Sequence, residues 1–371
     1  MVAHACRACR SNDGDLVLDL GLQPACDYFP GRDDPGPDPL YPLQMWLCAR
    51  CGLAQLVADP TTPEEPRGAE PAALIAQAAD AVERMGSAGL LPEGATVAEY
   101  GSPHGGSWLD RLAQRGLKAV SDDHPADVIV DCFGMMHAAD QTASLAQRAS
   151  RLTPGGVLLL QYHSLGAIIR LGQWNALRHG HYAYYSTTAL VTMLASQGLS
   201  PRRAWHFDLY GGTVLLAASR AAGRAAAASD ASVRALLADE ASTGVRDPLV
   251  LAGLQHDSQR RATGLRAFLA DERAAGRTVL GYGAASRAVA LLRTAEIDSA
   301  LLPAVVDASP AKQGLRMPGT DIPVVGPAEL AVRRPHAVVL FLTDLRAELL
   351  ASYPEVERNG GRWVDADALT G

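Results

Sequence analysis

The sequence predicts an α/β protein in three parts, and three observations carry that prediction. Two Cys-x-x-Cys pairs, Cys6/Cys9 and Cys48/Cys51, stand 38 residues apart near the start of the chain. From residue 97 an apolar strand pattern runs through Glu99 into a glycine turn, Gly101 to Gly105, and further apolar runs follow at 127–133 and 156–161. From residue 278 the device repeats, with an apolar run, the turn Gly281-Tyr-Gly283, a helix start at Ser286 and Arg287, and apolar runs at 302–307 and 337–342. A strand that enters a glycine turn and then a helix is Rossmann-like, and it sets backbone N–H groups where an anionic ligand can sit. The expected division is therefore a small zinc ribbon at 1–58, a truncated Rossmann-like domain at 72–220, and a second Rossmann-like α/β domain with leading helices at 221–371.

Composition bounds the function. The chain has 371 residues, 48% of them hydrophobic and 20% charged, and a net charge of −7. That acidic balance, with no basic run, argues against nucleic acid as a partner. No stretch approaches the ~20 apolar residues of a membrane span, and the first residues lack the basic and apolar regions of a signal peptide. A cytoplasmic protein with a small-molecule substrate is expected. In a reducing compartment the six cysteines are expected as thiols rather than disulfides.

The elements follow in order. In the ribbon, 16–20 and 41–47 read as strands, and each cysteine pair forms one knuckle. Two knuckles give four soft ligands for a tetrahedral zinc with no position left for water, which makes a structural site; a redox role for a Cys-x-x-Cys pair is the alternative. Cys26 and Cys132 read as small buried side chains. Residues 59–71 are a proline-rich linker, and 72–85 shows helical spacing. Residues 117–121 can form the strand after Gly105, yet only five residues, 122–126, separate it from the next strand. Parallel strands joined by a crossover need about a dozen connecting residues or more, so one helix–strand–helix unit is missing. A helix at 187–197, strands near 203–207 and 212–218, an alanine-rich helical stretch at 220–242 and an amphipathic helix at 248–275 complete the chain.

Taken in order, these pieces resemble the sugar C-methyltransferases of deoxysugar biosynthesis, three-domain proteins acting on nucleotide-linked keto sugars. The cysteine pairs with Tyr41-Pro-Leu match that family's ribbon, and the stretch from Gln173 to Ser186 matches its active-site segment. Tyr210-Gly-Gly, Tyr282-Gly-Ala-Ala-Ser286, the stretch from Val306 to Gly314, and Met317-Pro-Gly match further motifs.

The resemblance implies a histidine base that enolises the sugar ketone, and S-adenosylmethionine (SAM) as methyl donor. His181 stands at the base position, and histidine suits a base near neutral pKa. His179, Arg178 and Tyr182 are its candidate companions, and Tyr185, Gly281, Gly283, Ser286, Arg287 and Lys312 the candidate substrate contacts. The family pattern Tyr-His-Glu-His-Tyr reads here Arg178-His179-Gly180-His181-Tyr182, so the acid is lost and the first tyrosine has become arginine.

For SAM the candidates are Glu99, Gly101, Gly105, Asp122 and Asp123. The two aspartates stand about 20 residues after Gly101, where a carboxylate can meet a ribose, although a solvated turn reads the same way. Pro103, His104 and the missing sheet unit erode this site. Three readings stay open: SAM-dependent C-methylation, a SAM-independent epimerase, isomerase or lyase on the same scaffold, and a member that only binds. Nicotinamide chemistry around Gly283 and Asp307 is a weaker fourth.

Overall fold

The structure is a computed structural model that describes residues 4–34, 36–61, 72–101, 106–121, 123–220 and 230–371. Gly105, Asp122 and the linker residues 62–71 lie outside the described residues. Among those described, no helix is long and apolar enough to cross a membrane.

The ribbon strands are longer than their apolar runs suggest. β1 (Gly14–Pro24) and β2 (Leu40–Cys48) pair antiparallel, and β3 (Ala54–Leu56) returns along β2. Between β2 and β3 the second knuckle turns at Gly52, whose φ of +76° lies in the left-handed region that glycine tolerates. The four cysteine Sγ atoms lie within 4.8 Å of one another, with Cys6–Cys51 and Cys9–Cys48 each at 3.5 Å. A tetrahedron of Zn–S bonds of about 2.3 Å has edges of about 3.8 Å, so the four thiols fit a zinc ion. The ribbon sheet takes its fourth strand, Ala183–Tyr184, from the histidine segment, pairing Ala54 with Tyr184 and Gln55 with Ala183.

The central sheet contains β4 (Thr96–Tyr100), β5 (Lys118–Ala119), β6 (Ala126–Cys132), β7 (Leu152–His163), β9 (Leu199–Phe207) and β10 (Thr213–Arg220), the ribbon's fourth strand being β8. Its order is β5-β4-β6-β7-β10-β9, with β10 antiparallel to both neighbours. No strand lies outside β5 among the described residues, as the residue count between strands predicts. β5 pairs only with Thr96 and Val97 at the base of β4. The chain therefore gains no height before it enters β6 at Ala126, and six residues are enough to pass β4. Arg151 holds that passage, donating from Nη2 to the Ser121 carbonyl (2.8 Å) and from Nε to the His124 carbonyl (3.1 Å).

One face of this sheet carries α1 (Ala72–Ser87) and α2 (Leu109–Gln114), packed through Met85, Trp108 and Leu112. The other carries α3 (Gln141–Arg151) and α5 (Thr187–Ser196), with the short α4 (Leu165–Arg170) at the edge. On the α3 side Arg148 donates from Nε to Asp131 (2.6 Å), both side chains buried, and lies 4.1 Å over the Tyr100 ring. Burial raises the Asp131 pKa, and the Arg148 charge opposes that rise.

α6 (Ala231–Thr243) docks on the central unit. Its buried Glu240 accepts from the backbone N–H groups of Thr187 (2.6 Å) and Thr188 (2.8 Å), capping α5. The 27-residue α7 (Pro248–Ala274) packs between β1 and α8 (Ser286–Thr294), so one apolar core runs from the ribbon through α7 into the C-terminal sheet. That sheet is all parallel, β11 (Val279–Tyr282), β12 (Val305–Val306), β13 (Val324–Val325), β14 (Ala337–Leu340) and β15 (Arg362–Asp365), in the order β13-β12-β11-β14-β15. Its strands β11, β12 and β14 are buried along their length, while the edge strand β15 carries Arg362 and Asp365.

Two outcomes follow. Metal analysis of the purified protein should find one zinc per chain, and Cys48→Ser should lose it together with hydrogen-exchange protection of the Ala183 and Tyr184 amides. Arg148→Ala leaves Asp131 buried without its partner, and should cost about 3–5 kcal/mol in denaturant unfolding.

Candidate functional site

The histidine segment is positioned by what flanks it. Trp174 and Leu177, both buried, anchor its entry, and β8 ties its exit to the ribbon. Between them Gly180 adopts a φ of +82°, and the turn is pinned on both sides of that residue. The Gly180 N–H donates to Asp59 Oδ2 (2.6 Å), and the Gly180 carbonyl accepts from His137 Nδ1 (2.9 Å).

This turn separates the four candidate residues of the motif. His181 Nε2 accepts from Arg178 Nε at 2.8 Å, and the same guanidinium donates from Nη1 to Ser286 Oγ at 2.7 Å. Ser286 is the first residue of α8, directly after the C-terminal glycine turn. The His137 ring packs edge-on against His181 at 4.7 Å between centroids. His179 turns the other way: buried, it donates from Nε2 to the Pro42 carbonyl (3.2 Å) and packs on Tyr41, and burial lowers its pKa. Tyr182 lies under the Arg7 guanidinium at 4.7 Å, and its N–H donates to the Met136 carbonyl. Tyr185 is deep in the core beside Tyr162, its hydroxyl on Gln141, and burial raises its phenol pKa well above the ordinary value.

The C-terminal candidates form a second group. Gly283 has a φ of +99°, so the turn needs glycine there. At Gly281 a Cβ would lie 2.6 Å from the Phe341 ring, so this glycine serves strand packing. Asp307 gives its carboxylate to two backbone donors, Ala284 (2.7 Å) and Ser309 (2.8 Å), rather than holding it out toward a ribose. The buried Lys312 donates to the Ala284 carbonyl (2.9 Å) and lies 4.9 Å from the Phe29 ring centroid. Arg287 reaches across to the central unit, 5.6 Å over the Tyr210 ring.

The carboxyl edge of the central sheet is where its strand order reverses between β4 and β6, the usual ligand position in such sheets. Glu99 in β4 accepts from the Trp108 N–H (2.6 Å) and the Ser107 hydroxyl (2.6 Å). Among the described residues, a Cβ built on Gly101 would meet the Gly106 carbonyl, at 3.8 Å. Gly134, after β6, packs its backbone on β4: a Cβ would lie 2.8 Å from the Tyr100 carbonyl oxygen. Asp123 is exposed, its pKa lowered to about 2 by the Ser121 hydroxyl and then by His124. Among the described residues no strand flanks this edge beyond β5.

Sequence reasoning missed a cluster at this edge. His163 ends β7 with Nε2 buried and without a hydrogen-bond partner, and its pKa is lowered to about 3 by burial and then by the Arg287 charge. Its ring faces Tyr210 at 6.4 Å, and Tyr210 faces Phe133 at 6.2 Å. Phe133 and Tyr210 have φ of 60° and 56°, a conformation that non-glycine residues adopt at a cost of about 1–3 kcal/mol and that gathers at functional sites. The one signal in the sequence is a histidine closing an apolar strand at its carboxyl end. His137 carried no signal, because only the fold brings it to His181.

Comparison with known proteins adds three matches in chain order: a zinc binding domain over residues 6–65, a methyltransferase domain over 72–203 and a C-methyltransferase C-terminal domain over 208–366. C-methyltransferase NovU of Streptomyces niveus is 26% identical over 408 aligned positions, covering 97% of this chain and 94% of its own. Among solved structures, magnesium protoporphyrin IX methyltransferase from Synechocystis is 16% identical, with 40% of this chain and 84% of that one covered at a TM-score of 0.30. N-methyltransferase NodS from Bradyrhizobium japonicum is 12% identical, with 39% and 86% covered at the same score. At that score neither transfers any property to this chain. The zinc knuckles, the central sheet and the C-terminal α/β unit fall in turn under the three domain matches, so over nearly its whole length the chain is similar to the C-methyltransferases that its motifs resemble.

Proposed function

We propose that this C-methyltransferase acts on a nucleotide-activated keto-deoxysugar, or a related natural-product intermediate, with His181 as the base that enolises the ketone. One observation carries the reading: Arg178 joins His181 to Ser286, so the base loop and the C-terminal glycine turn face one space. A nucleotide-bearing substrate anchored at Gly283, Ser286 and Arg287 presents its sugar to His181.

The chemistry follows from the hydrogen bonds. The Arg178 N–H occupies the Nε2 lone pair of His181. A ketone oxygen entering beside Arg178 competes for the guanidinium, and the lone pair becomes available. His181 then takes the proton from the carbon next to the ketone, and the C–H electron pair moves into the enolate. Arg178 stabilises the oxygen on which that charge develops, the role that fixed donors play at oxyanions. Glu99 and Gly101 at the end of β4 would hold SAM, which would supply an electrophilic methyl group to the carbon nucleophile, the S–CH3 electron pair returning to sulfur as S-adenosylhomocysteine leaves. A neutral histidine at 163, with Tyr210 and Arg287, lines the substrate side of the same edge.

A second reading, enolisation followed by reprotonation or elimination without a methyl donor, is favoured by one observation, the two-residue β5 at the edge where the adenosine half would lie.

The two separate cleanly. His181→Asn should lower methyl transfer by about 10²–10⁴-fold, and should abolish deuterium wash-in next to the ketone in heavy water, while calorimetric SAM binding persists. Full activity in His181→Asn sinks the assignment of the base. Deuterium wash-in with no SAM heat at millimolar cofactor selects the second reading.

A further inference from the structure

We propose that Asp27, carried by the zinc ribbon, is the positioning residue that sets the basicity of His181 through Arg178, supplying from another domain the acid that the histidine motif lacks. The inference rests on His181 as the base, and its test does not.

Position 180 cannot carry the acid. Its φ of +82° strains any side chain, and the peptide is fixed there by Asp59 and His137. The space beside it is filled instead: a Cβ built on Gly180 would lie 3.7 Å from Asp27 Oδ2. The other oxygen, Asp27 Oδ1, lies 3.7 Å from Arg178 Nη1 and accepts from the Cys26 thiol at 3.3 Å. Both side chains of this pair are close to nine-tenths buried, so the guanidinium depends on a counter-charge at hand. The second nearby acid, Asp59, spends its carboxylate on Gly180 and on the N–H and hydroxyl of Thr61. Among the described residues, Asp27 sets a carboxylate oxygen beside the Arg178 guanidinium.

The consequence is electrostatic. The Arg178 charge, hydrogen-bonded to Nε2, disfavours the imidazolium that His181 becomes on taking a proton. The Asp27 charge behind it offsets that penalty. Among the described residues, the groups facing His181 include the His137 ring, the Tyr184 ring at 6.3 Å, whose hydroxyl is bonded to the Arg178 backbone, Ser286 through Arg178, and Asp59 across Gly180. His179 contributes little, because its ring is turned to Pro42.

The test is an NMR titration of the His181 imidazole in the full-length, zinc-loaded protein, with the resonance assigned by its absence in His181→Asn. Asp27→Asn should lower the His181 pKa by about 0.5 unit or more, and Arg178→Gln should raise it by about 1 unit. Asp27→Glu should restore the parent value, and the double variant should lie near it. An Asp27→Asn protein that folds and titrates like the parent overturns the proposal. Should the single variant not fold, the double variant carries no unpaired buried charge, and His181 in it must titrate lower than in Arg178→Gln; equal values overturn the proposal. A confirmed shift with unimpaired methyl transfer in His181→Asn leaves the electrostatic coupling standing and removes His181 as the base.

Discussion

The pairing of Ala54 with Tyr184 and Gln55 with Ala183 fixes the candidate site. Two residues of backbone make the histidine segment a strand of the zinc ribbon, and the turn from Arg178 to Tyr182 hangs from that attachment. On one side of the turn are Asp27, Pro42 and Asp59 of the N-terminal part, and on the other Ser286 of the C-terminal unit. A strand of two residues would not persist alone. It persists because β1, β2 and β3 are already a sheet, and because four cysteines hold the turns at its end. The zinc knuckles are therefore remote from the chemistry but are part of what aims it.

The central sheet shows how a Rossmann-like unit tolerates loss. Removing a whole crossover leaves a chain too short to climb one strand and return. The protein meets that limit by cutting β5 to two residues at the base of β4 and by clamping the passage with Arg151. The carboxyl edge, where Gly101, Gly134, Phe133 and His163 gather, lies at the opposite end of the strands from that cut. What the loss alters is the flank beyond β5, leaving the edge next to the C-terminal unit as it was.

Much of this was legible in the residues. Cysteine spacing, the glycine turns after apolar runs and the count between strands all report local chain geometry, and local geometry survives in sequence. The lack of room for a helical crossover between β5 and β6 followed from counting. The roles of single side chains did not follow. Nothing near Tyr185 in sequence says that its hydroxyl ends on Gln141 in the core, or that His179 turns away from its neighbour His181. Those outcomes depend on a left-handed Gly180, which reverses the chain between two histidines. Asp27 carried no signal at all, because its partner Arg178 is brought to it by the β3–β8 pairing. Likewise α6 reads as a leader to the C-terminal unit until Glu240 is seen capping α5.

The long helix α7 gives the molecule a temporal property. It spans about 40 Å at 1.5 Å per residue, and its apolar side completes the core that β1 begins. The ribbon leaves the ribosome first, yet its fourth strand follows 130 positions after Ala54 and its covering helix later still. At about 5–20 residues per second of synthesis, the nascent ribbon waits on the order of ten seconds or more with Leu18, Met45 and Leu47 uncovered. The four cysteines are all synthesised before that covering arrives, so a zinc ion bound by them would hold the knuckles through that interval.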